Sequence, residues 1–542
     1  MSDSNLPKFV REKIRLADNG DLYSCYTVAN YYIDKKTLDV NEEKSNHYFS
    51  LVSDKINNVN FRVTELSVFD YKRFSKAHLT FPDKGTTVVI GNNGSGKSTI
   101  LEAIAKNLQF LSDNIRIKNN NNYKFHESEI NVDAKYDNST IECIIELDNK
   151  YSFSCSLVKN SENTPRKITS ELEQFKALGG MLQESDRLHK DNFSYPLLAY
   201  YPVERSVTVK REEVTRKQEK QDKPLKRSIL DKIEGHNKPF DGTSNFDTFF
   251  NWFKEIDDIV NEYKASTSFT PEDIKNALIN RKPEQSIEDF LSSLIISDED
   301  TDEDYKIALK NQIEIVKKAI KKFLSDIEEI AIRRTPYLDM YVTKRGKKLS
   351  VFHLSQGEKT LLALVSDIAR RLVTLNPKLD EPLHGRGIVI IDELDLHLHP
   401  QWQQSVIQNL EETFPNIQFI VSTHSPLILN TVTSEKIKIL DENSTDGTLL
   451  TPEINPFGKV SAEALAIMDT PEKPSLKLDI EDKLNEFEQL VKSGKENEPD
   501  TKKLKSSIEA TGYTIDDSQL ELWRFISQNS DLFDNTSGEE EA

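Results

Sequence analysis

A glycine-rich segment near residue 90 has the residue types and spacing of a phosphate-binding loop. The sequence GNNGSGKS at 91–98 fits G-x-x-x-x-G-K-[ST], and it lies between a short apolar strand, Thr86–Ile90, and a predicted helix, Thr99–Leu111. Glycines let backbone amides turn toward an anion, and the helix N-terminus adds positive potential. We expect Lys97 to reach the β- and γ-phosphates of a nucleotide and Ser98 to bind Mg²⁺. The residues expected to contact the nucleotide here are Gly91, Asn92, Asn93, Gly94, Ser95, Gly96, Lys97, Ser98 and Thr99.

A pair of carboxylates follows a second apolar run. The apolar pattern of Gly387–Ile391 predicts a buried strand, and Asp392 and Glu393 follow it directly. In a parallel sheet the carboxyl ends of the strands face the crevice that binds ligands, so both carboxylates are expected near the phosphate-binding loop. We expect Asp392 to support Mg²⁺, directly or through water, and Glu393 to polarise the attacking water as a general base.

The segment LSQGE at 354–358 opens a predicted helix, Lys359–Leu372. Ser355 and the Gly357 amide, at the N-terminus of this helix, are placed to bind an anion. Ser355 followed three residues later by Glu358 also fits a capping box, which needs no ligand. The two interpretations are compatible, and the other motifs in the chain favour the functional one.

The elements that must position these residues alternate between strand and helix. Residues 59–158 contain strand-like runs, and strands and helices alternate again from about residue 337 to 442. Residues 1–58 have apolar and aromatic residues at helical spacing and resemble one degenerate Sel1-like repeat. Residues 207–330 form a charged, mostly helical insertion, and residues 443–542 are polar and helix-rich. We therefore predict an α/β protein with a mixed β-sheet core, a helical lobe and helical regions at both ends.

Composition and charge restrict the class of protein. A length of 542 residues suggests about three domains. The formal net charge of −19 argues against a polycation that coats nucleic acid, although a local basic groove is still compatible with it. No apolar run approaches the roughly 18 residues of a membrane span, and the N-terminal stretch is not that of a signal peptide. Three cysteines without metal-ligand spacing predict a cytoplasmic protein without a disulfide framework.

Taken together, residues 59–442 resemble the ABC-type AAA ATPases of the OLD, RecF and SMC-head group, and so imply the fold of an ABC-type P-loop ATPase head. Within that group, the short N-terminal helical extension, the loop GNNGSGKS and the run DELDLHLHP at 392–400 are most similar to the PtuA family. That family comprises the ATPase subunits of Septu-type anti-phage systems, including the retron-associated form.

The resemblance assigns further roles, each of which is an expectation. LSQGE resembles the ABC signature LSGGQ, from which it differs at two positions. In ABC-type proteins this motif binds the γ-phosphate of ATP held by the other protomer. The residues that the resemblance places at the nucleotide are then Ser355, Gln356, Gly357 and Glu358 of the signature, His424 as the switch histidine that contacts the γ-phosphate, Asp395 as the D-loop aspartate and Arg73 as the arginine that approaches phosphate.

Three of these assignments have plainer alternatives. A salt bridge at the surface would explain Arg73 equally well. His397, His399 and Pro400 match the tail of the carboxylate motif in this group and are expected to be structural, because two histidines make a poor metal site. Gln183 is a weak candidate for a Q-loop glutamine.

The resemblance also implies cofactors and partners. It implies ATP and Mg²⁺, a homodimer or higher homo-oligomer formed through ATP, an HNH nuclease similar to PtuB and, in retrons, a reverse transcriptase with its RNA–DNA product. Residues 443–542 lack the strand pattern of a Toprim nuclease, so we expect no nuclease activity in this chain and predict that its C-terminal helices dock the partner. One alternative is a RecF- or SMC-like DNA repair or recombination ATPase that clamps DNA with the basic stretch 210–227 and Lys344–Lys348. Another is a scaffold that binds ATP without hydrolysing it.

Overall fold

The structure, a computed structural model, describes most of the chain. The described residues are 6–34, 37–57, 59–82, 85–162, 164–189, 192–203, 232–237, 239–240, 245–266, 300–440, 449–452, 455–458, 467–468, 479–510, 515 and 517–528. The basic stretch 210–227 lies outside these residues. The chain divides into two compact units, residues 1–468 and residues 469–542.

The first unit is built of helices and strands in mixed order. Its helices are α1 (Lys8–Asp18), α2 (Leu22–Tyr31), α3 (Glu42–Ile56), α4 (Lys97–Arg116), α5 (Glu173–His189), α6 (Asn245–Ser266), α7 (Asp300–Phe323), α8 (Gln356–Leu375), α9 (Pro400–Gln403), α10 (Val406–Thr413) and α11 (Pro426–Leu429). Its strands are β1 (Phe61–Tyr71), β2 (Phe74–Thr80), β3 (Thr87–Ile90), β4 (Asn138–Leu147), β5 (Tyr151–Asn160), β6 (Leu197–Tyr201), β7 (Ile327–Arg333), β8 (Asp339–Lys344), β9 (Lys347–Ser350), β10 (Gly387–Ile391), β11 (Ile417–Ser422), β12 (Ile437–Leu440) and β13 (Leu449–Leu450).

A mostly parallel sheet forms the centre of this unit. Its strand order is β6, β10, β11, β3, β12 and β13, and every neighbouring pair except β12 with β13 is parallel. Every residue of β3, β6, β10 and β11 is buried, which suits apolar strands covered on both faces. Helix α4 packs across β6, β10 and β11 on one side. The α/β fold class predicted from the sequence is confirmed.

An antiparallel sheet, in the order β2, β1, β4 and β5, packs against the central sheet. The pairing of β1 with β4 shifts register between Val63 and Glu65. The side chain of Gln418 on β11 satisfies the backbone there, because it accepts from the Val63 amide at 2.8 Å and donates to the Val63 carbonyl at 2.9 Å. A third sheet, in the order β7, β8 and β9, is also antiparallel.

The N-terminal helices belong to the same hydrophobic core as the central sheet. Val28, Phe49 and Ile56 are buried in that core, and α2 and α3 contact α5. A side chain at Gly180 would overlap the hydroxyl of Tyr26, so glycine is needed where α2 crosses α5. The apolar spacing of residues 1–58 correctly predicted helices.

Two boundaries differ from the sequence prediction. Helix α4 begins at Lys97 and runs to Arg116, which is longer than predicted at both ends. The apolar run at Leu349–Leu354 also predicts a strand, but its second half is not one, because β9 ends at Ser350 and Val351–His353 form a 3₁₀ turn. The Ser350 hydroxyl accepts from the Phe352 amide at 3.3 Å, and this cap turns the chain out of the strand.

The described part of the second unit consists of α12 (Asp479–Lys492), α13 (Pro499–Glu509) and α14 (Asp517–Gln528). Its core contains Phe487, Val491, Ile508, Leu520 and Trp523. Among the described residues of both units, no helix combines the length and apolar character that crossing a bilayer requires.

Candidate nucleotide-binding site

The central sheet brings the predicted phosphate-binding and carboxylate residues to one edge. β10 pairs in parallel with β11, and β11 pairs in parallel with β3. The residues that follow these strands are Gly91 after β3, Asp392 after β10 and Thr423 after β11. Since parallel strands end at the same edge of a sheet, these segments form one crevice.

The phosphate-binding loop joins α4 at Gly96, where any other residue would be strained. Gly96 has a φ of +102°, which is the left-handed region. A Cβ at this position would lie 2.5 Å from the Phe74 ring and 2.9 Å from Cδ of Arg73. The side chain of Arg73 therefore lies against the loop, and its approach to a phosphate stays a prediction.

Lys97 is nearly fully buried and folds back onto the loop. Its ammonium donates to the carbonyls of Gly91 at 2.8 Å and Asn92 at 3.0 Å. Burial lowers the pKa of Lys97, and the charges of Asp392, Glu393 and Asp395 oppose that shift. All three carboxylates thus lie close enough to influence the lysine, although they are far from it in sequence.

The loop has hydrogen-bond donors that suit the phosphates of a nucleoside triphosphate. Asn92, Asn93 and Gly94 are exposed, and the buried hydroxyl of Ser95 has no hydrogen-bond partner among the described residues. Ser98 is the second residue of α4 and lies in its first turn, where backbone amides have no acceptor within the helix. The chemistry of this set fits phosphates and a hard divalent cation held by oxygen ligands.

Asp392 and Glu393 are held by a serine that the sequence analysis did not single out. The hydroxyl of Ser422, at the end of β11, donates to Asp392 and accepts from the amide of Glu393 at 2.7 Å. Glu393 has a φ of +47°, an uncommon backbone conformation for a side chain of this kind. The signal in the sequence was a polar residue at the last position of an apolar strand.

Asp395 positions the turn that carries His424. Its carboxylate accepts from the Thr423 hydroxyl at 2.6 Å and from the His424 amide at 3.1 Å. His424 is half-buried and follows the crevice-facing end of β11. The structure thus gives Asp395 a role within its own chain, and its D-loop role between two copies stays a prediction.

Gln183 lies at the wrong end of helix α4 for a nucleotide ligand. Its side-chain amide donates to the carbonyls of Asn114 at 3.3 Å and Ile115 at 2.8 Å. At about 1.5 Å per residue, those carbonyls are roughly 26 Å along the helix from Lys97. The interpretation of Gln183 as a Q-loop glutamine is wrong.

The capping box at the start of α8 is confirmed. The Ser355 hydroxyl accepts from the Glu358 amide at 3.4 Å, and the Ser355 amide donates to Glu358 Oε2 at 2.8 Å. The ammonium of Lys344 donates to the other carboxylate oxygen at 2.5 Å. Burial alone would raise the pKa of Glu358, but the bonds from Lys344 and Ser355 outweigh it and hold that pKa below its ordinary value.

This helix end opens onto a cleft of about 990 Å³. Ser355 and Gln356 are exposed there, and Gly357 lies against the backbone carbonyl of His397 so closely that a Cβ would overlap it. None of residues 91–99, all of which the structure describes, lines this cleft. The signature residues and the phosphate-binding loop therefore do not share one pocket within the chain.

Other predicted residues have structural partners. His399 caps α9, since its Nδ1 accepts from the Gln401 amide at 3.3 Å. In the basic segment predicted to clamp DNA, Lys344 pairs with Glu358, and Arg345 pairs with Asp326 at 3.1 Å. These pairs reduce the positive charge that the segment can offer to a phosphate backbone.

A buried network joins α8 to the central sheet. Asp367 accepts from Arg370 and Arg371 at 2.7 and 2.8 Å and from the Tyr201 hydroxyl at 2.9 Å. The backbone carbonyl of Tyr201 accepts from the amide of Asp392 at 2.9 Å. The helix that begins at Gln356 is thus tied by hydrogen bonds to the strand beside the predicted catalytic carboxylates.

Comparisons with known proteins show the family of the chain. The model of the family described as "AAA domain, putative AbiEii toxin, Type IV TA system" matches residues 86–430, which is more than half of the chain. This range includes the phosphate-binding loop, the Asp392–Glu393 pair and His424.

Similar curated proteins are ATPases of retrons and a Septu protein. The chain is 53% identical to the "Retron Vc95 probable ATPase" of Vibrio cholerae serotype O1 biovar El Tor, over 93% of this chain and 98% of that one. It is 33% identical to the "Retron Ec83 probable ATPase" of Escherichia coli, over 96% of this chain and 97% of that one. It is 24% identical to Septu protein PtuA of Bacillus thuringiensis, over 67% of this chain and 72% of that one. The chain therefore belongs to this AAA-domain family and to the family of the retron ATPases, with PtuA as a more distant relative.

Proposed function

We propose that two copies of the chain bind ATP between them and that the nucleotide state controls a partner nuclease in anti-phage defence. The observation that carries the proposal is the division of the binding groups. The phosphate-binding loop and the carboxylates lie at the edge of the central sheet, whereas Ser355 and Gly357 line a separate cleft. Two copies arranged head to tail would bring one half of each site against the other half.

In the first half, the chain supplies the groups for binding and hydrolysis. Lys97 and the amides of residues 91–98 would hold the phosphates, and Ser98 with Asp392 would hold Mg²⁺, which supplies positive charge to the γ-phosphate. Glu393 would orient and deprotonate the attacking water. His424, positioned by Asp395, would contact the γ-phosphate.

In the second half, the N-terminus of α8 offers positive potential and free amides to the triphosphate of the other copy. The Ser355 hydroxyl now donates to Glu358 at 2.7 Å, so it must rotate to reach a phosphate. ATP would then favour the closed pair by its contacts to both copies, and hydrolysis would remove that preference.

The partner is proposed from the relatives and from the C-terminal unit. Retron and Septu relatives support a role within a defence complex, and we propose an HNH nuclease as the effector, with a reverse transcriptase and RNA–DNA product in a retron. On α14, Leu522 is 56% exposed, which suits a protein contact. Co-expression should recover the nuclease with the chain, and removal of residues 469–542 should lose it while ATP turnover persists.

The test of the chemistry uses two variants. Lys97→Ala should abolish nucleotide binding, measured with a fluorescent ATP analogue. Glu393→Gln should leave binding within a few fold of wild type and lower ATP turnover by at least about 100-fold, as the loss of a general base does. Equal turnover in Glu393→Gln and wild type would contradict the assignment of Glu393.

The test of the two-copy site is a mixing experiment. Lys97→Ala disables the first half and Ser355→Arg blocks the second, so each variant alone should be inactive. A mixture should recover turnover, because a mixed pair contains one intact composite site. Mixing Lys97→Ala with Glu393→Gln is the matched control, since both changes lie in the first half and no intact site forms. Recovery in neither mixture would contradict the shared site.

The DNA-clamp alternative gains no support from the described residues, because Lys344 and Arg345 are paired with carboxylates. The scaffold alternative predicts ATP binding without turnover, and the Glu393→Gln assay separates it from the proposed function.

A further inference from the structure

A second cavity lies near the C-terminal end of α4, away from the phosphate-binding loop. Its volume is about 340 Å³, and Gln109, Asp113 and Arg116 of α4 line it together with Lys124 and Phe240. Arg116 is roughly 28 Å along the helix from Lys97, so this cavity is not part of the site described above.

The cavity is positively charged on a strongly acidic chain. Lys106, Arg116 and Lys124 line it with a single carboxylate, Asp113, while the chain as a whole carries −19. Lys106 is already paired with Glu129 at 3.1 Å. Arg116 and Lys124 are exposed and form no ion pair among the described residues, so their charges are available to an anion.

Compensation of the helix dipole is a simpler explanation for Arg116 alone, since cations are favourable at a helix C-terminus. It does not account for Lys124, which lies outside the helix, nor for the concave shape. Nor does it explain Asp113. Burial raises the pKa of this carboxyl group, although the charges of Arg116 and Lys124 act to lower it.

The remaining walls suit a base. Phe240 is half-buried and Pro239 is buried, and together they form an apolar wall. The carbonyl of Pro239 accepts from the amide of Tyr200 on β6 at 3.0 Å, which anchors this wall to the central sheet. Cationic side chains bind the phosphate of a nucleotide, and apolar rings contact the face of its base. Carboxylates and amides form hydrogen bonds with the edge of the base.

We infer that this cavity binds one nucleotide unit, either a free mononucleotide or an unpaired nucleotide of a nucleic-acid strand. Arg116 and Lys124 hold its phosphate, and Phe240 contacts its base. Gln109 and Asp113 bind the base edge. A volume of about 340 Å³ is at the small end of ligand pockets, which matches one nucleotide and excludes a duplex.

The experiment uses the full chain with Lys97→Ala, so that the phosphate-binding loop does not contribute and the result is independent of the proposed function. The probe is a short fluorescein-labelled single-stranded DNA, followed by anisotropy at several salt concentrations. Arg116→Gln with Lys124→Gln should weaken binding at least tenfold. The same pair should lower the slope of log affinity against log salt by about 0.7, since both side chains hold one phosphate and each phosphate contact on a single strand contributes roughly 0.7.

The matched control is Lys150→Gln with Lys167→Gln, which removes two exposed lysines elsewhere on the same unit and should change neither quantity. Phe240→Ala should weaken binding without changing the salt slope, because it removes a base contact and no charge. Melting temperatures of all variants exclude unfolding as the cause.

Competition separates the two sources of the nucleotide. Displacement of the strand by AMP, GMP, CMP or UMP indicates a free mononucleotide site, and failure of all four to displace a bound strand indicates a strand site. The inference is overturned if the strand and the mononucleotides do not bind, if the cavity and control pairs behave alike, or if inorganic phosphate displaces the bound strand as effectively as a mononucleotide that displaces it.

Discussion

At the scale of single residues, the geometry of the candidate site depends on small side chains that take no direct part in the chemistry. Ser422 is the clearest of these, because one hydroxyl fixes both Asp392 and the backbone of Glu393. It has 0% exposure, so water cannot replace it. A buried hydrogen bond of this kind orients the groups that contact metal and substrate.

Replacement of this serine is therefore expected to affect catalysis more than binding. Ser422→Ala should lower ATP turnover about 10- to 100-fold, the usual cost of losing such an orienting partner. Nucleotide affinity should change little, because Lys97 and the loop amides are untouched. Ser366→Ala is the control, since Ser366 is equally buried but bonds to the Ala363 carbonyl within α8. Similar turnover in the two variants would remove Ser422 from the site.

At the scale of elements, the N-terminus of α8 has one observed use and one proposed use. The capping box stabilises the helix whether or not ATP is present, and the same exposed end is proposed to receive the phosphates of a second copy. The physical reason is that the amides of the first helical turn have no partners within the helix, so a cap satisfies one of them and an anion can bind the others. Stability and activity must be measured together to separate them.

Ser355→Ala is expected to lower both properties. Loss of the cap should reduce the free energy of unfolding by about 1 kcal/mol, and loss of the hydroxyl should lower ATP turnover at least tenfold. The control is Ser350→Ala, which removes the cap of the neighbouring 3₁₀ turn and so should reduce stability without reducing turnover. A Ser355→Ala protein that is less stable but fully active would show that the motif is only a cap.

At the scale of the whole molecule, buried polar groups join the signature helix, the central sheet and the segment Lys232–His236. Arg371 is about 2% exposed and donates to the carbonyls of Gly235 at 2.8 Å and Asn237 at 3.0 Å. His236 is fully buried and is hydrogen-bonded to the Pro196 carbonyl at 2.7 Å. Burial lowers the pKa of His236 from 6.5 to about 4.

This histidine should make the protein sensitive to mild acid. The unfolded chain protonates His236 near pH 6.5 and the folded chain only near pH 4, so stability falls as the pH decreases through this window. The shift corresponds to about 3 kcal/mol. His236→Gln should show a smaller loss in the free energy of unfolding between pH 7 and pH 4.5, measured by denaturant titration. An identical pH dependence in the two proteins would contradict this role.

The sequence by itself determined the fold class and identified the residues proposed for the first half-site. The loop at 91–98, the strand that ends at Asp392 and the capping box at Ser355 are local patterns, and each depends only on neighbouring residues. The tertiary structure decided which distant residues meet: Ser422 with Asp392, Arg73 with Gly96, and Gln183 with the far end of α4. Such contacts depend on the order of strands in the sheet and on packing between elements, and neither leaves a periodic signal in the chain.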